Sequence, residues 1–131
     1  MCIRDRSGGG ISATGATTSI VDSTISNNQL DGIVISVGVA TINNSTIAGN
    51  GSSQTNTLGG GLQSFGGTTK IGSSILAGNV AADVSGTVTT LGYNIVQTIA
   101  SGYSLTGTGT GDQINIDPQL TALTLLSLIH I

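Results

Sequence analysis

The chain has 131 residues, of which 21 are glycine, 7% are charged and 2% aromatic, and its formal net charge is −3. A hydrophobic fraction of 37% and a mean hydropathy of +0.32 are too apolar for a disordered chain, and the glycines follow no G-X-Y period, which excludes collagen. With no Glu and only three Lys+Arg there are too few helix formers for a helical bundle.

Between residues 7 and 125 the single cation is Lys70, too little positive charge to neutralise a phosphate backbone, so no nucleic-acid partner is expected. The longest strongly apolar stretch, Leu123 to Ile131, is shorter than the roughly 20 residues that cross a bilayer core, so no membrane span is expected here. Cys2 is the one cysteine, which leaves no intrachain disulfide or cysteine zinc site.

The two ends stand apart at the nucleotide level. Met1 to Arg6 back-translates to ATG TGT ATA AGA GAC AGR, and Leu126 to Ile131 to CTG TCT CTT ATA CAC ATC. The two strings are reverse complements over nearly their whole length and read as a transposon-derived sequencing adapter translated in each direction. Residues 1–6 and 126–131 are therefore set aside, with the single Cys and the single His, and residues 7–125 are expected to be a fragment of a longer chain.

In chain order, Gly8-Gly9-Gly10-Ile11 opens a first copy of a repeat that continues through Thr18-Ser19-Ile20 and Ser23-Thr24-Ile25 to Asn28. Asp31-Gly32-Ile33, Ala40-Thr41-Ile42, Ser45-Thr46-Ile47 and Asn50 form a second copy, displaced by 22 residues at every anchor. Gly59-Gly60-Gly61-Leu62, Thr69-Lys70-Ile71, Ser74-Ile75-Leu76 and Asn79 form a third, displaced by 29, which places one insertion in the polar run Gly51 to Thr57. A fourth copy fades: Val84 follows Asn79 at the spacing of Ile33 after Asn28, Leu91 and Val96 repeat the step from Ile20 to Ile25, and the Asn position is lost. The units fall near 8–30, 31–58, 59–80 and 81–101, followed by an irregular last turn over 102–125.

Within each copy short alternating apolar pieces are separated by Gly and Asn, which is strand periodicity with turn punctuation. Strands of three to five residues cannot bury a face alone, so equivalent strands must stack one repeat apart. About 22 residues accommodate three such strands and three turns, which predicts an all-β, right-handed parallel β-helix of four to five coils with a pectate-lyase-like architecture. Three interior columns are expected: Ile11, Ile33, Leu62; Ile20, Ile42, Ile71; and Ile25, Ile47, Leu76. Asn28, Asn50 and Asn79 are expected to stack at one corner, where amides bond to one another and to turn backbone. Ser23, Ser45 and Ser74 read as turn residues.

On these motifs the chain resembles bacterial surface proteins built from right-handed β-helix repeats, in particular the choice-of-anchor Q domain proteins and more distantly the polymorphic outer-membrane proteins. The resemblance rests on Gly8-Gly9-Gly10-Ile11, Ser23 to Asn28, Asn44 to Asn50 and Gly59 to Leu62, and on the closing segment from Ser74 through Asp83-Val84 and Leu91 to Ile95 to Asp117-Pro118. In the polymorphic family Phe stands where Ile25, Ile47 and Leu76 stand here. The resemblance implies a secreted protein at the bacterial cell surface, associated with the outer membrane and held by a C-terminal anchor.

Chemistry is sparse. A glycosidase needs two carboxyls about 5 to 9.5 Å apart; Asp22 shares its repeat position with Asn44 and Ser73, and Asp31 and Asp83 lie one step apart in the frame. A lyase calls for cationic bases, and Lys70 stands alone. The run Gly107 to Ile114 has the wrong glycine spacing for a calcium nonapeptide. Thr87-Val88-Thr89 has the form of an ice-binding pair without counterparts in the other copies, and Asn43-Asn44-Ser45-Thr46 carries only chance glycosylation spacing. No catalytic, cofactor-binding or metal-ligating residue is expected. The expected role is a non-catalytic structural or adhesive segment that meets polysaccharide or a host or neighbouring cell surface and associates end to end through its uncapped coils. The competing role is a set of non-catalytic coils of a polysaccharide lyase or glycoside hydrolase.

Overall fold

A computed structural model describes residues 2–3, 9–51, 60–107 and 109–121. All of the run expected to hold the insertion except Gly51, and the leading Gly8 and Gly59, lie outside the described residues. Among the described residues every regular element is a β-strand and every strand pairing is parallel. The strands alternate between two sheets. One contains the short strands β1 (Cys2–Ile3), β3 (Thr24–Ser26), β5 (Thr46–Ala48), β7 (Ile75–Ala77), β9 (Ile95–Val96) and β11 (Gln113–Ile114), side by side in chain order. The other contains β2 (Ile11–Val21), β4 (Ile33–Asn43), β6 (Leu62–Gly72), β8 (Val84–Gly92) and β10 (Leu105–Thr106), also in chain order. Each strand thus pairs with the strand two places on, and the chain returns to the same edge after each long and short strand.

Register follows from burial. Ile11, Ile33, Leu62 and Val84 are successive partners in one column, and Ile25, Ile47, Leu76, Val96 and Ile114 in another. Ile20 pairs with Ile42 and Ile42 with Ile71. Ile33, Ile42, Ile47, Leu62, Ile71 and Leu76 have no solvent exposure, and each such side chain contributes about 1.5–3 kcal/mol by leaving water. A slip of one residue would turn a whole column outward, so the aliphatic pattern fixes the pairing. Cys2 and Ile3 pair with Thr24 and Ile25. They belong to the hexapeptide set aside on nucleotide grounds, yet their backbone occupies the preceding place in this sheet.

The strands of three to five residues expected throughout occur only in the short-strand sheet; β2, β4 and β6 each run for 11 residues. The glycine that punctuates the sequence bends a long strand without ending it. Register passes from Ile35↔Ser64 to Val39↔Thr68 across the bend in the same frame. Gly38, Gly67 and Gly86 have φ of 114°, 76° and 97°, and a Cβ on Gly67 would lie 2.0 Å from the Gly38 carbonyl oxygen. Successive bends therefore nest only because they are glycine. Inside the bend, the Ser64 and Thr69 hydroxyls hydrogen-bond at 2.9 Å.

One further expectation is corrected in the fourth copy. Ile71 pairs with Thr90, while a bulge carries Leu91 outward to 48% exposure and Gly72 pairs with Gly92. Thr90 is drawn inward because its hydroxyl accepts from the Gly92 N–H and from Asn94 Nδ2 and donates to Asp112. In the last turn, the described residues include β10 and β11, which extend both sheets by pairing Leu105 with Val88 and Gln113 with Ile95.

Candidate functional site

The polar residues that distinguish the repeat gather at two corners, one on each side of the short strands. At the first, Asp22, Asn44, Ser73 and Tyr93 adopt left-handed φ of 49°, 49°, 48° and 59°, followed in the next copy by Gly111 at 76°. Asn and Asp tolerate this region because their short side chains bond locally. Directly after each comes one rung of a ladder: Ser23, Ser45, Ser74, Asn94 and Asp112. The Ser23 N–H donates to Ser45 Oγ (3.3 Å), the Ser45 N–H to Ser74 Oγ (3.1 Å), the Ser74 N–H to Asn94 Oδ1 (3.1 Å) and the Asn94 N–H to Asp112 Oδ1 (2.9 Å). Each serine hydroxyl also donates to the carbonyl two residues back, at Val21, Asn43 and Gly72.

The second corner holds Asn28, Asn50 and Asn79. The Asn28 N–H and Nδ2 both donate to Asn50 Oδ1 (3.1 and 2.8 Å), and those of Asn50 both donate to Asn79 Oδ1 (3.0 and 2.8 Å). The remaining Nδ2 hydrogens of Asn50 and Asn79 reach the Ile25 and Ile47 carbonyls. An amide supplies an acceptor facing one neighbour and two donors, one for the next rung and one for a turn carbonyl, which suits asparagine to this buried column. The glycines beside it are equally constrained: a Cβ on Gly32 would lie 2.8 Å from Asn50 Nδ2 and 2.9 Å from Ile47 Cγ2.

Both ladders run in one direction and both end on an aspartate. In the fourth copy the Asn place by spacing is Ile99, and the missing oxygen comes from elsewhere. Asp83, which precedes Val84 as Gly61 precedes Leu62, turns its carboxylate into the corner and accepts the Asn79 N–H (3.0 Å) and Nδ2 (2.7 Å) on Oδ1. Its Oδ2 accepts the Thr98 N–H (2.8 Å) and hydroxyl (2.6 Å). Asp112 likewise accepts from the Asn94 N–H and Nδ2 on Oδ1 and from the Thr90 hydroxyl on Oδ2. An ionised carboxylate accepts without donating, so it receives the last rung and passes nothing on.

Asp83, Asn94 and Asp112 were not identified as ladder members from sequence. For Asn94 and Asp112 the signal was present, since they precede Val96 and Ile114 by two residues as Ser23 precedes Ile25. Asp83 left no such signal, because it compensates from the opposite side of the corner for a residue 16 positions later.

The other acids are dispersed. Asp31 accepts from Gln63 Nε2 (2.9 Å), and exposed Asp117 accepts the Gln119 N–H (2.8 Å) in a local turn. Outside the short-strand sheet a groove of about 400 Å³ is lined by Asn27, Thr46, Gly49, Gln97, Asp117 and Leu120, with Gln97 Oε1 tied to the Gly78 N–H at 2.8 Å. Of the pair Thr87 and Thr89, Thr89 stands in register with Lys70, Thr41 and Ser19, while Thr87 lies in the bend of β8, where the register with β6 shifts. Lys70 interrupts any uniform threonine array. Among the described residues no three His, Cys, Asp or Glu side chains converge as metal ligands, and no helix is long and apolar enough to cross a membrane. Comparison with family models, with curated proteins and with solved structures found no match.

Proposed function

We propose that the chain is a segment of a right-handed parallel β-helix, four to five coils of about 22 residues, that serves as a structural or adhesive module of a secreted bacterial surface protein. Support for the coil reading comes from the two parallel sheets, whose strands alternate along the chain and pair one repeat apart. The observation that carries the functional reading is the fate of the acids: the carboxylates of Asp83 and Asp112 are occupied by donors from the preceding copy and, at Asp83, also from Thr98 of its own copy. Their chemistry is spent on holding the stack together. A rigid stack with such internal cross-bracing suits a stalk or a scaffold that presents a flank to polymers outside the cell.

The test is incubation of the intact parent protein with pectate, alginate and chondroitin under conditions that detect new reducing ends or unsaturated products. The module is expected to release none. Product release from any of the three would instead make these the supporting coils of a lyase or glycosidase.

A further inference from the structure

The core of this protein is aliphatic, and all three of its aromatic side chains are turned to solvent: Phe65 is 57% exposed, Tyr93 69% and Tyr103 43%. An exposed phenylalanine leaves a large apolar face in water, which a ligand covering it would relieve. Phe65 and Tyr103 line the same cleft, of about 470 Å³, together with Ser64 and Thr87 and a floor made by the bend glycines Gly67 and Gly86.

Register explains the juxtaposition. Ser64 pairs with Gly86 and Leu105 with Val88, so the bend of β6 that holds Phe65, the bend of β8 that holds Thr87 and the approach to β10 that holds Tyr103 come together across three successive strands. The strands β6 and β10 lie two inter-strand spacings of about 4.8 Å apart, with β8 between them. Nested glycine bends keep the floor free of side chains, and the Thr87 hydroxyl and Tyr103 phenol provide donors and acceptors at the walls. The described lining residues include no Asp, Glu, Lys, Arg or His.

We propose that this cleft binds one pyranose ring of an uncharged polysaccharide. The apolar C–H face of the sugar lies against Phe65 or Tyr103, and its hydroxyl edge meets Thr87 and the Tyr103 phenol. Pockets of this size with aromatic walls and a few polar groups are typical of small-ligand sites, and the absence of charged lining selects against uronates. The inference rests on the adhesive reading above and specifies its ligand class.

The test is affinity electrophoresis of the intact chain through native gels containing hydroxyethylcellulose, galactomannan, laminarin or dextran, with pectate and alginate gels alongside. Retardation in at least one neutral gel is expected, weakened at least tenfold in Phe65→Ala and Tyr103→Ala and unchanged in Tyr93→Ala, whose ring lies outside the cleft. Phe65→Leu should behave as Phe65→Ala, because the flat ring and not apolarity alone is required. The exposed positions leave the core intact, which an unchanged thermal transition verifies. Absence of retardation in all four neutral gels, or retardation in pectate or alginate alone, overturns the proposal. Retardation that survives both Phe65→Ala and Tyr103→Ala also overturns it while leaving the adhesive reading standing. Release of oligosaccharide from a gel contradicts the non-catalytic reading, and the cleft is then judged on retardation alone.

Discussion

At the scale of single residues, the two ladders give each buried polar group a defined direction. Asn50 sits in the middle of one, accepting from Asn28 and donating to Asn79 and the Ile25 carbonyl. Replacing it with alanine strands two donors of Asn28 in the interior, and at about 1–3 kcal/mol for each unsatisfied buried group the loss should be about 2–4 kcal/mol by urea denaturation. Asn50→Asp should be no milder, since a carboxylate oxygen then faces Asn79 Oδ1. The reverse change at the end of the ladder is informative for the same reason. In Asp83→Asn one oxygen becomes an NH2 that opposes the Thr98 N–H, so a loss of about 1–3 kcal/mol is expected. If Asp83→Asn were neutral or stabilising, the aspartate would not be acting as the acceptor that closes the column.

At the scale of elements, the long strands depend on their bends. Gly67→Ala combines a left-handed φ with a Cβ that would meet backbone 2.0 Å away, whereas at Gly15, also left-handed at φ 67°, nothing lies within 4 Å. Gly15→Ala should cost about 1 kcal/mol from backbone conformation alone. Gly67→Ala should cost more than twice as much in the same denaturation assay, and equal losses would show that bend nesting contributes nothing. These bends mark where the sequence was readable and where it was not. The 22- and 29-residue spacings of Ile20, Ile42 and Ile71 were legible because an interior column demands the same aliphatic character in every copy. Strand length was not, because a glycine that bends a strand and one that ends it look alike along the chain. The placement of Thr90 over Leu91 was hidden for a related reason: the more apolar residue lost to the one whose hydroxyl completes a bond to Asp112. Asp83 was hidden because its role arises only when Ile99 vacates the asparagine place.

At the scale of the whole molecule, the sheets grow by addition of parallel strands, and among the described residues β2 forms one edge of the long-strand sheet with β4 as its only strand partner. Natural repeats cover such edges, because an open row of backbone donors and acceptors templates further pairing. The chain expressed alone should therefore associate end to end, with an apparent mass in light scattering that rises with concentration; a constant monomer mass at high concentration would contradict this. The core should respond cooperatively as well. Ile47→Ala, which removes a fully buried side chain flanked by Ile25 and Leu76, should cost about 2–5 kcal/mol in equilibrium unfolding.

The claim beneath all of these is that equivalent strands stack in parallel, one repeat apart. Its most direct test is NMR of the isotopically labelled chain, read for backbone proton contacts between strands. The account predicts cross-peaks linking residues around Thr24 with Thr46 and Thr46 with Ile75, and around Ile20 with Ile42 and Ile42 with Ile71. Cross-peaks joining β2 to β3 or β4 to β5 in antiparallel order, as in a run of hairpins, would contradict it.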